Sequence, residues 1–284
     1  MVSLMTARFA YGADMIEIID SVPEDHSQTA RHLEEHIQDL RYEPSVVQIP
    51  LTRRRVETAP DLYAQLSQVA STAVEKNLWP LLHIEAHGDK DGLQLAKGDV
   101  VKWADLQPYF LALNKATRNH LFIMMAACKG FHGIKAMLDP ADHAASLRLL
   151  GGPAEETPAG RLEDAMKGFY SSLLRTGNLD DAISTAQQSE KTFRLYPAEA
   201  AFMKGWSKAL EQFPAGGKAL QEKAEQIITM MRTADLPLPE HPHAKTKQAI
   251  RQLDLNIPFQ AYRRKFFMLD LFPELEAEIS GVKL

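Results

Sequence analysis

Cysteine is almost absent from this chain. Cys128 is the only one in 284 residues, so an internal disulfide cannot form. That scarcity is typical of a reducing compartment, and we expect a cytoplasmic protein. Long apolar runs are missing as well. None approaches the roughly 18 residues that a membrane helix needs, and the start, Met1 to Tyr11, lacks the apolar core of a secretion signal. We therefore expect no membrane partner.

The chain also lacks an excess of positive charge. Its 32 Lys and Arg residues against 37 Asp and Glu residues give a net charge of −5. This balance offers no electrostatic basis for binding nucleic acid directly. An apolar share of 45% is ordinary for a soluble globular protein, and the length suffices for one large core with a smaller companion.

Apolar runs and amphipathic stretches alternate in the first part of the chain, which predicts a doubly wound, mostly parallel α/β sheet flanked by helices. The second helix begins with Thr58 as its N-cap and Asp61 three residues later, a capping-box pattern. The predicted strands cover 14–19, 45–49, 79–88, 120–128 and 146–150; the predicted helices include 25–41, a stretch from Thr58, 161–175 and a segment up to 188; and 92–101 suggests a small hairpin.

From about residue 191 we predict helices and no further strand. The expected organisation is an α/β domain over 1–190 and a helical C-terminal extension over 191–284. The apolar cluster from Phe266 to Phe272 is too hydrophobic for a free tail, so we expect it to pack within the protein or on a partner.

Two of the buried strand runs end in reactive side chains followed closely by glycine. His87-Gly88 closes the first and Cys128 the second. Because functional groups collect at the carboxyl ends of parallel strands, we expect His87 and Cys128 to meet there. A histidine can take the thiol proton and return it to a leaving amine, while the backbone N–H groups of Gly88 and Cys128 are the candidates for an oxyanion hole.

His87-Gly88, followed by a strand ending in Ala126-Ala127-Cys128-Lys129-Gly130, resembles the caspase-like cysteine peptidases of clan CD, and most of all the bacterial CHAT-family proteases. The resemblance extends over about residues 14–190. It implies a caspase-like fold and a cysteine endopeptidase without a cofactor, with Cys128 as nucleophile and His87 as general acid and base. It also implies a protein substrate, an activating protein partner, and a role in antiviral defence or cell death.

The chain departs from the family pattern at the substrate pocket. Caspases have glutamine, and metacaspases aspartate, two residues before the cysteine, where this chain has Ala126. The 21–28 segment also lacks the arginine that caspases use to bind aspartate. Neither aspartate nor arginine specificity is carried over, and we expect no strong preference for acidic residues. Asp142 is a further candidate for lining the pocket.

Several alternatives remain open. The fold can serve as a catalytically silent adaptor or interaction module, or, with less support because no glycine-rich loop follows the first strand, as a nucleotide-binding domain. Cys128 can be a buried structural residue. His83, Glu85 and His87 alternate along one strand and can be imagined as zinc ligands, although we expect no metal and a structural role for the first two, with Glu85 helping to orient His87.

Overall fold

A computed structural model describes residues 13–134, 144–211 and 216–283. These residues fall into two compact units that divide between Ala198 and Glu199. Within the described ranges, no helix is both long and apolar enough to cross a membrane.

The first unit is built on a six-stranded sheet in the order β2-β1-β3-β7-β8-β9. Every neighbouring pair is parallel except β8 with β9, which is antiparallel. The mostly parallel α/β sheet predicted from the sequence is therefore confirmed. The strands of this sheet are β1 (Met15–Asp20), β2 (Leu51–Arg55), β3 (Pro80–Glu85), β7 (Phe122–Ala126), β8 (Leu149–Pro153) and β9 (Phe193–Pro197).

The residues of β1, β3 and β7 are buried on both faces of the sheet, as expected when helices pack against both sides. From β1 the chain steps outward to β2 and then returns past β1 to β3. Because β-α-β crossovers are right-handed as a rule, this order predicts that the two connecting helices lie on opposite faces of the sheet. The second of them has the predicted capping box between Thr58 and Asp61. The helices of this unit are α1 (Thr29–Leu40), α2 (Ala59–Lys76), α3 (Trp103–Ala116), α4 (Ala159–Thr176) and α5 (Leu179–Ser189).

The prediction of a second strand at 45–49 is wrong. That segment is irregular between Pro44 and Pro50, and the strand is β2, with the sequence Leu-Thr-Arg-Arg-Arg. Three consecutive arginines are tolerated because β2 is an edge strand. Arg53 and Arg55 lie 2.9 Å and 3.2 Å from the carboxylate oxygens of Asp20, a residue 33 and 35 positions away.

The expectation of no strand after residue 191 is also wrong. β9 pairs with β8, so the sheet continues beyond the boundary predicted at 190. Its run of Phe-Arg-Leu-Tyr-Pro has a buried Phe193 but is otherwise half-buried or exposed, as suits the edge of a sheet. Pro197, which has no backbone N–H group to donate, is tolerated at the end of an edge strand.

The hairpin predicted at 92–101 is confirmed, in a separate three-stranded antiparallel sheet. Its strands are β4 (His87–Gly88), β5 (Gly92–Gln94) and β6 (Val100–Lys102). The chain thus leaves the main sheet at Glu85, and His87 belongs to this smaller sheet rather than to the end of β3. Asp89 forms the turn by accepting the backbone N–H groups of Asp91 and Gly92.

The second unit is helical and is organised by aromatic side chains. Phe202 lies 5.5 Å from Phe259 and 5.4 Å from Phe267, measured between ring centroids. The apolar cluster near the C-terminus therefore packs within this unit. Its helices are α6 (Ala198–Leu210), α7 (Gly217–Thr233), α8 (Pro242–Arg251) and α9 (Asn256–Phe266), followed by a 3₁₀ turn at Pro273–Glu276.

Candidate functional site

A cavity of about 290 Å³ opens at the carboxyl ends of β1, β3 and β7. It lies beside the point where the chain order reverses between β1 and β3, which is where open α/β sheets bind their ligands. Its lining includes His26, Glu85, His87, Ala126, Cys128 and Thr157. The cavity thus brings together His87, Cys128 and Ala126, which the sequence predicted to act together, whereas Asp142 lies outside the described residues.

Cys128 is held by the turn that follows β7. Lys129 adopts a left-handed conformation with φ of 55° and begins a 3₁₀ turn over Gly130–Gly133. Gly130 is packed against β7, since an added Cβ would lie 2.6 Å from the Cγ atom of Met125. The turn therefore requires glycine at this position and leaves the Cys128 thiol half-buried at the cavity.

The backbone of Gly88 lies directly against that of Cys128. A Cβ atom added to Gly88 would be 2.7 Å from the Cys128 carbonyl oxygen and 2.9 Å from the Cβ atom of Ala127. Only glycine permits this approach without displacing one of the two segments. The contact joins the segment that carries His87 to the segment that carries the thiol.

His87 has a partner that the sequence did not reveal. Its Nε2 atom lies 2.8 Å from the Nδ1 atom of His26, and the two rings meet edge to face. Partial desolvation of the His87 ring lowers its pKa, and the nearby imidazole of His26 lowers it further. The lowered pKa favours the neutral, proton-accepting form of His87.

His26 belongs to the segment between β1 and α1. The predicted helix at 25–41 begins only at Thr29, and the residues before it remain irregular. Backbone contacts inside this segment include the His26 N–H donating to the Pro23 carbonyl at 3.1 Å. Because these residues are irregular rather than helical, His26 and Ser27 lie in the lining of the cavity.

The thiol of Cys128 is hydrogen-bonded to a backbone carbonyl rather than to His87. Its Sγ atom donates to the Thr157 carbonyl at 3.6 Å. The 154–158 segment is tied to the cysteine turn a second time, because the Lys129 ammonium lies 2.8 Å from Glu156. The cysteine and the histidine thus each contact a different loop at the cavity.

A chain of buried polar groups lies behind the cavity. The Thr29 hydroxyl donates to Oε1 of Glu85, while Oε2 of Glu85 lies 3.3 Å from Nε2 of His83. On the far side, Nδ1 of His83 lies 3.1 Å from the Tyr170 hydroxyl. Burial raises the pKa of Glu85. The ring of His87 is contacted by His26 rather than by Glu85, so the predicted orienting role falls to a different residue.

The residues imagined as zinc ligands do not come together. His83 is fully buried behind the cavity, Glu85 forms part of the cavity wall, and His87 is exposed on β4. Across the described part of the chain, no group of three or more His, Cys, Asp or Glu side chains is arranged to hold a metal ion.

Comparison with known proteins adds no family. No protein-family model matches the chain, and no curated protein matches it.

Proposed function

We propose that this protein is a caspase-like cysteine endopeptidase in which Cys128 is the nucleophile and His87 the general acid and base. The observation that carries the proposal is the contact between the Gly88 and Cys128 backbones at the rim of a cavity. Through it, an imidazole with a lowered pKa and a half-buried thiol share one cavity beyond the carboxyl ends of β3 and β7.

In this proposal the two ring nitrogens of His87 have different roles. Nε2 contacts His26, and we give Nδ1 the role of proton acceptor for Cys128. In the reaction, Nδ1 takes the thiol proton and the thiolate attacks the peptide carbonyl carbon. The backbone N–H groups of Gly88 and Cys128 stabilise the oxyanion.

The tetrahedral intermediate collapses when His87 returns its proton to the amine, which leaves as the new N-terminus. A water molecule then gives a proton to His87 and attacks the acyl carbon. The C–S bond breaks, the thiolate takes the proton back from His87, and the acid product departs. His26 keeps the His87 ring in place throughout and is a positioning residue. No cofactor takes part in this scheme.

The wider role rests on the sequence resemblance to bacterial CHAT-family proteases. The order of the sheet and the placement of His87 and Cys128 at its carboxyl edge support a caspase-like assignment. On this view the substrate is a protein, and an activating protein partner controls cleavage during antiviral defence or cell death. These steps are analogy with the family rather than chemistry of the site.

A second candidate is a catalytically silent caspase-like adaptor. It is favoured by the contacts that the two reactive groups make: Cys128 donates to the Thr157 carbonyl, and His87 contacts His26. An enzyme must release the thiol from Thr157 to reach the reactive geometry, whereas an adaptor need not. The test must therefore measure covalent reactivity as well as binding.

Peptidyl acyloxymethyl ketones with varied side chains test the proposal, with labelling of Cys128 measured by mass spectrometry. We expect the wild-type protein to be labelled, and Cys128→Ala and His87→Ala to lose labelling and peptide hydrolysis while remaining folded. His243→Ala, which changes an exposed histidine of α8, is the matched control and should react like the wild type. A folded wild-type protein that no probe labels at Cys128 would favour the adaptor.

A further inference from the structure

Glu85 is placed at the cavity by its register with Ala126. It is the last residue of β3 and pairs directly with Ala126 on β7. Paired residues on adjacent strands project to the same side of the sheet. Because the alanine side chain is a single methyl group, it leaves the neighbouring carboxylate as a wall of the cavity that Cys128 also lines.

The carboxylate of Glu85 keeps acceptor capacity for a ligand. An ionised carboxylate offers about four lone-pair sites. Thr29 occupies one site on Oε1 and His83 occupies one on Oε2. Glu85 is 5% exposed, and it contributes to the lining of the cavity.

Glu85 differs from the two neighbouring carboxylates in that its hydrogen-bond partners among the described residues include no lysine or arginine. Asp20 and Glu163 both act electrostatically on it. Asp20 is paired with Arg53 and Arg55, and Glu163 lies 2.5 Å from the Lys167 ammonium. The contacts of Glu85 are instead a hydroxyl and an imidazole.

The rest of the lining suits a long side chain with a charged end. Among the described residues that line the cavity there is no lysine or arginine. Val22, Leu162 and Ala126 supply apolar surface for a methylene stem, and Ser27 and Thr157 add hydroxyl groups. An acidic side chain would meet a carboxylate and no cationic partner there.

We infer that the cavity binds a lysine or arginine side chain of the substrate residue immediately before the scissile bond, with Glu85 receiving its charged end. This inference rests on the proposed peptidase function, which it deepens by naming a substrate class. Burial of Glu85 without a cation disfavours its ionised form, and a bound ammonium or guanidinium group would stabilise that form.

Matched probes test this inference on the full chain. Four acyloxymethyl ketones, identical except for lysine, norleucine, arginine or citrulline before the reactive group, are compared by their second-order rates of Cys128 labelling. Citrulline has the size and shape of arginine without its charge, and norleucine keeps the four-carbon stem of lysine without the terminal ammonium group. We expect each basic probe to react about 10- to 100-fold faster than its neutral counterpart, the range for a hydrogen bond to a charged group.

The variant Glu85→Gln separates charge from structure. The amide oxygen can still accept from Thr29, and its NH₂ group can donate to His83 in the appropriate tautomer. We expect the ratio of each basic rate to its neutral counterpart to fall to about one in this variant, whatever the change in the absolute rates. Glu163→Gln removes the same charge from α4 outside the cavity lining and should retain the preference for basic probes.

The outcomes distinguish this inference from the proposed function. Equal labelling of the wild type by basic and neutral probes would overturn the inference and leave the peptidase proposal standing. So would a basic preference that survives in Glu85→Gln. Labelling of Cys128 by none of the probes would overturn the peptidase proposal and the inference with it. If Glu85→Gln does not fold, the wild-type ratios alone decide.

Discussion

The two units of this chain bury different kinds of side chain. The first buries titratable groups next to a cavity, including Asp20, His83 and Glu85. The second buries a cluster of aromatic rings around Phe202, and its buried arginine, Arg263, is paired with Glu276 at 2.7 Å. Buried polar groups cost stability unless they are satisfied, whereas buried aromatic rings contribute to stability through packing. The first unit therefore bears a cost beside its cavity that the aromatic cluster of the second unit does not.

Phe202→Ala should have the largest effect and tests the role of the aromatic cluster. The ring is 1% exposed and contacts three other phenylalanines, so its removal should lower the free energy of unfolding by about 3–5 kcal/mol. Thermal denaturation measures the loss, and Leu271→Ala, at a 59% exposed position of the same unit, should cost far less. We expect kcat/KM for the proposed peptide hydrolysis to be unchanged at temperatures where the variant is folded. A lower value would show that the aromatic cluster also affects the site in the first unit.

Gly88→Ala tests the backbone contact at the site. Its Cβ atom would lie 2.7 Å from the Cys128 carbonyl oxygen, so one segment must move. A displacement of about 1 Å at a reacting centre costs about 100-fold in rate, and we expect a loss of that size in kcat/KM. Gly160→Ala meets no atom within 4 Å and serves as the control. Wild-type activity in Gly88→Ala would show that this contact does not set the catalytic geometry.

His26→Ala tests the positioning role of His26. We expect kcat/KM to fall about tenfold, which corresponds to the loss of one hydrogen bond. Because His26 lowers the pKa of His87, its removal should raise that pKa and move the acid limb of the pH–rate profile to higher pH. His26→Asn places a polar atom near the position of Nδ1 and should restore much of the rate. A uniform loss with an unshifted acid limb would indicate a merely structural residue.

Glu85→Gln should have the smallest effect, on the pH dependence of stability. Burial raises the folded-state pKa of Glu85, so in the window that begins near the ordinary value of about 4.3 and ends at the raised pKa the folded state binds more protons than the unfolded state. The free energy of unfolding therefore falls as pH rises through this window, by at most about 1.4 kcal/mol per pH unit.

Chemical denaturation of wild type and Glu85→Gln at several pH values checks this slope, which should disappear in the variant. Glu163→Gln is the matched opposite. Burial alone would raise the pKa of Glu163, but its bonds to Lys167 and His32 outweigh burial and lower it. That variant should remove a contribution that grows with pH. If the free energy of unfolding depends on pH in the same way in both variants, the pKa values of Glu85 and Glu163 are not shifted in opposite directions.

Much of the framework was predictable from local patterns. The apolar runs of β1, β3 and β7, the capping box at Thr58 and the hairpin around Gly98 depend on periodicity and on short-range hydrogen bonding, which neighbouring residues carry. The strand at 45–49 was misplaced because the edge strand β2 consists mainly of arginines, whose partner Asp20 is distant in sequence.

What the sequence determined by itself is therefore the alternation of strands and helices, and the presence of a histidine-glycine and of a cysteine shortly after two buried strands. Tertiary structure alone decided that His26 contacts the ring of His87, 61 residues away, and that Glu85 lines a cavity beside Ala126. It also decided that β9 forms one edge of the sheet. The physical reason is that periodicity and capping act within a few residues. Which side chains meet at the cavity depends on strand order and register, which the packing of the whole sheet sets.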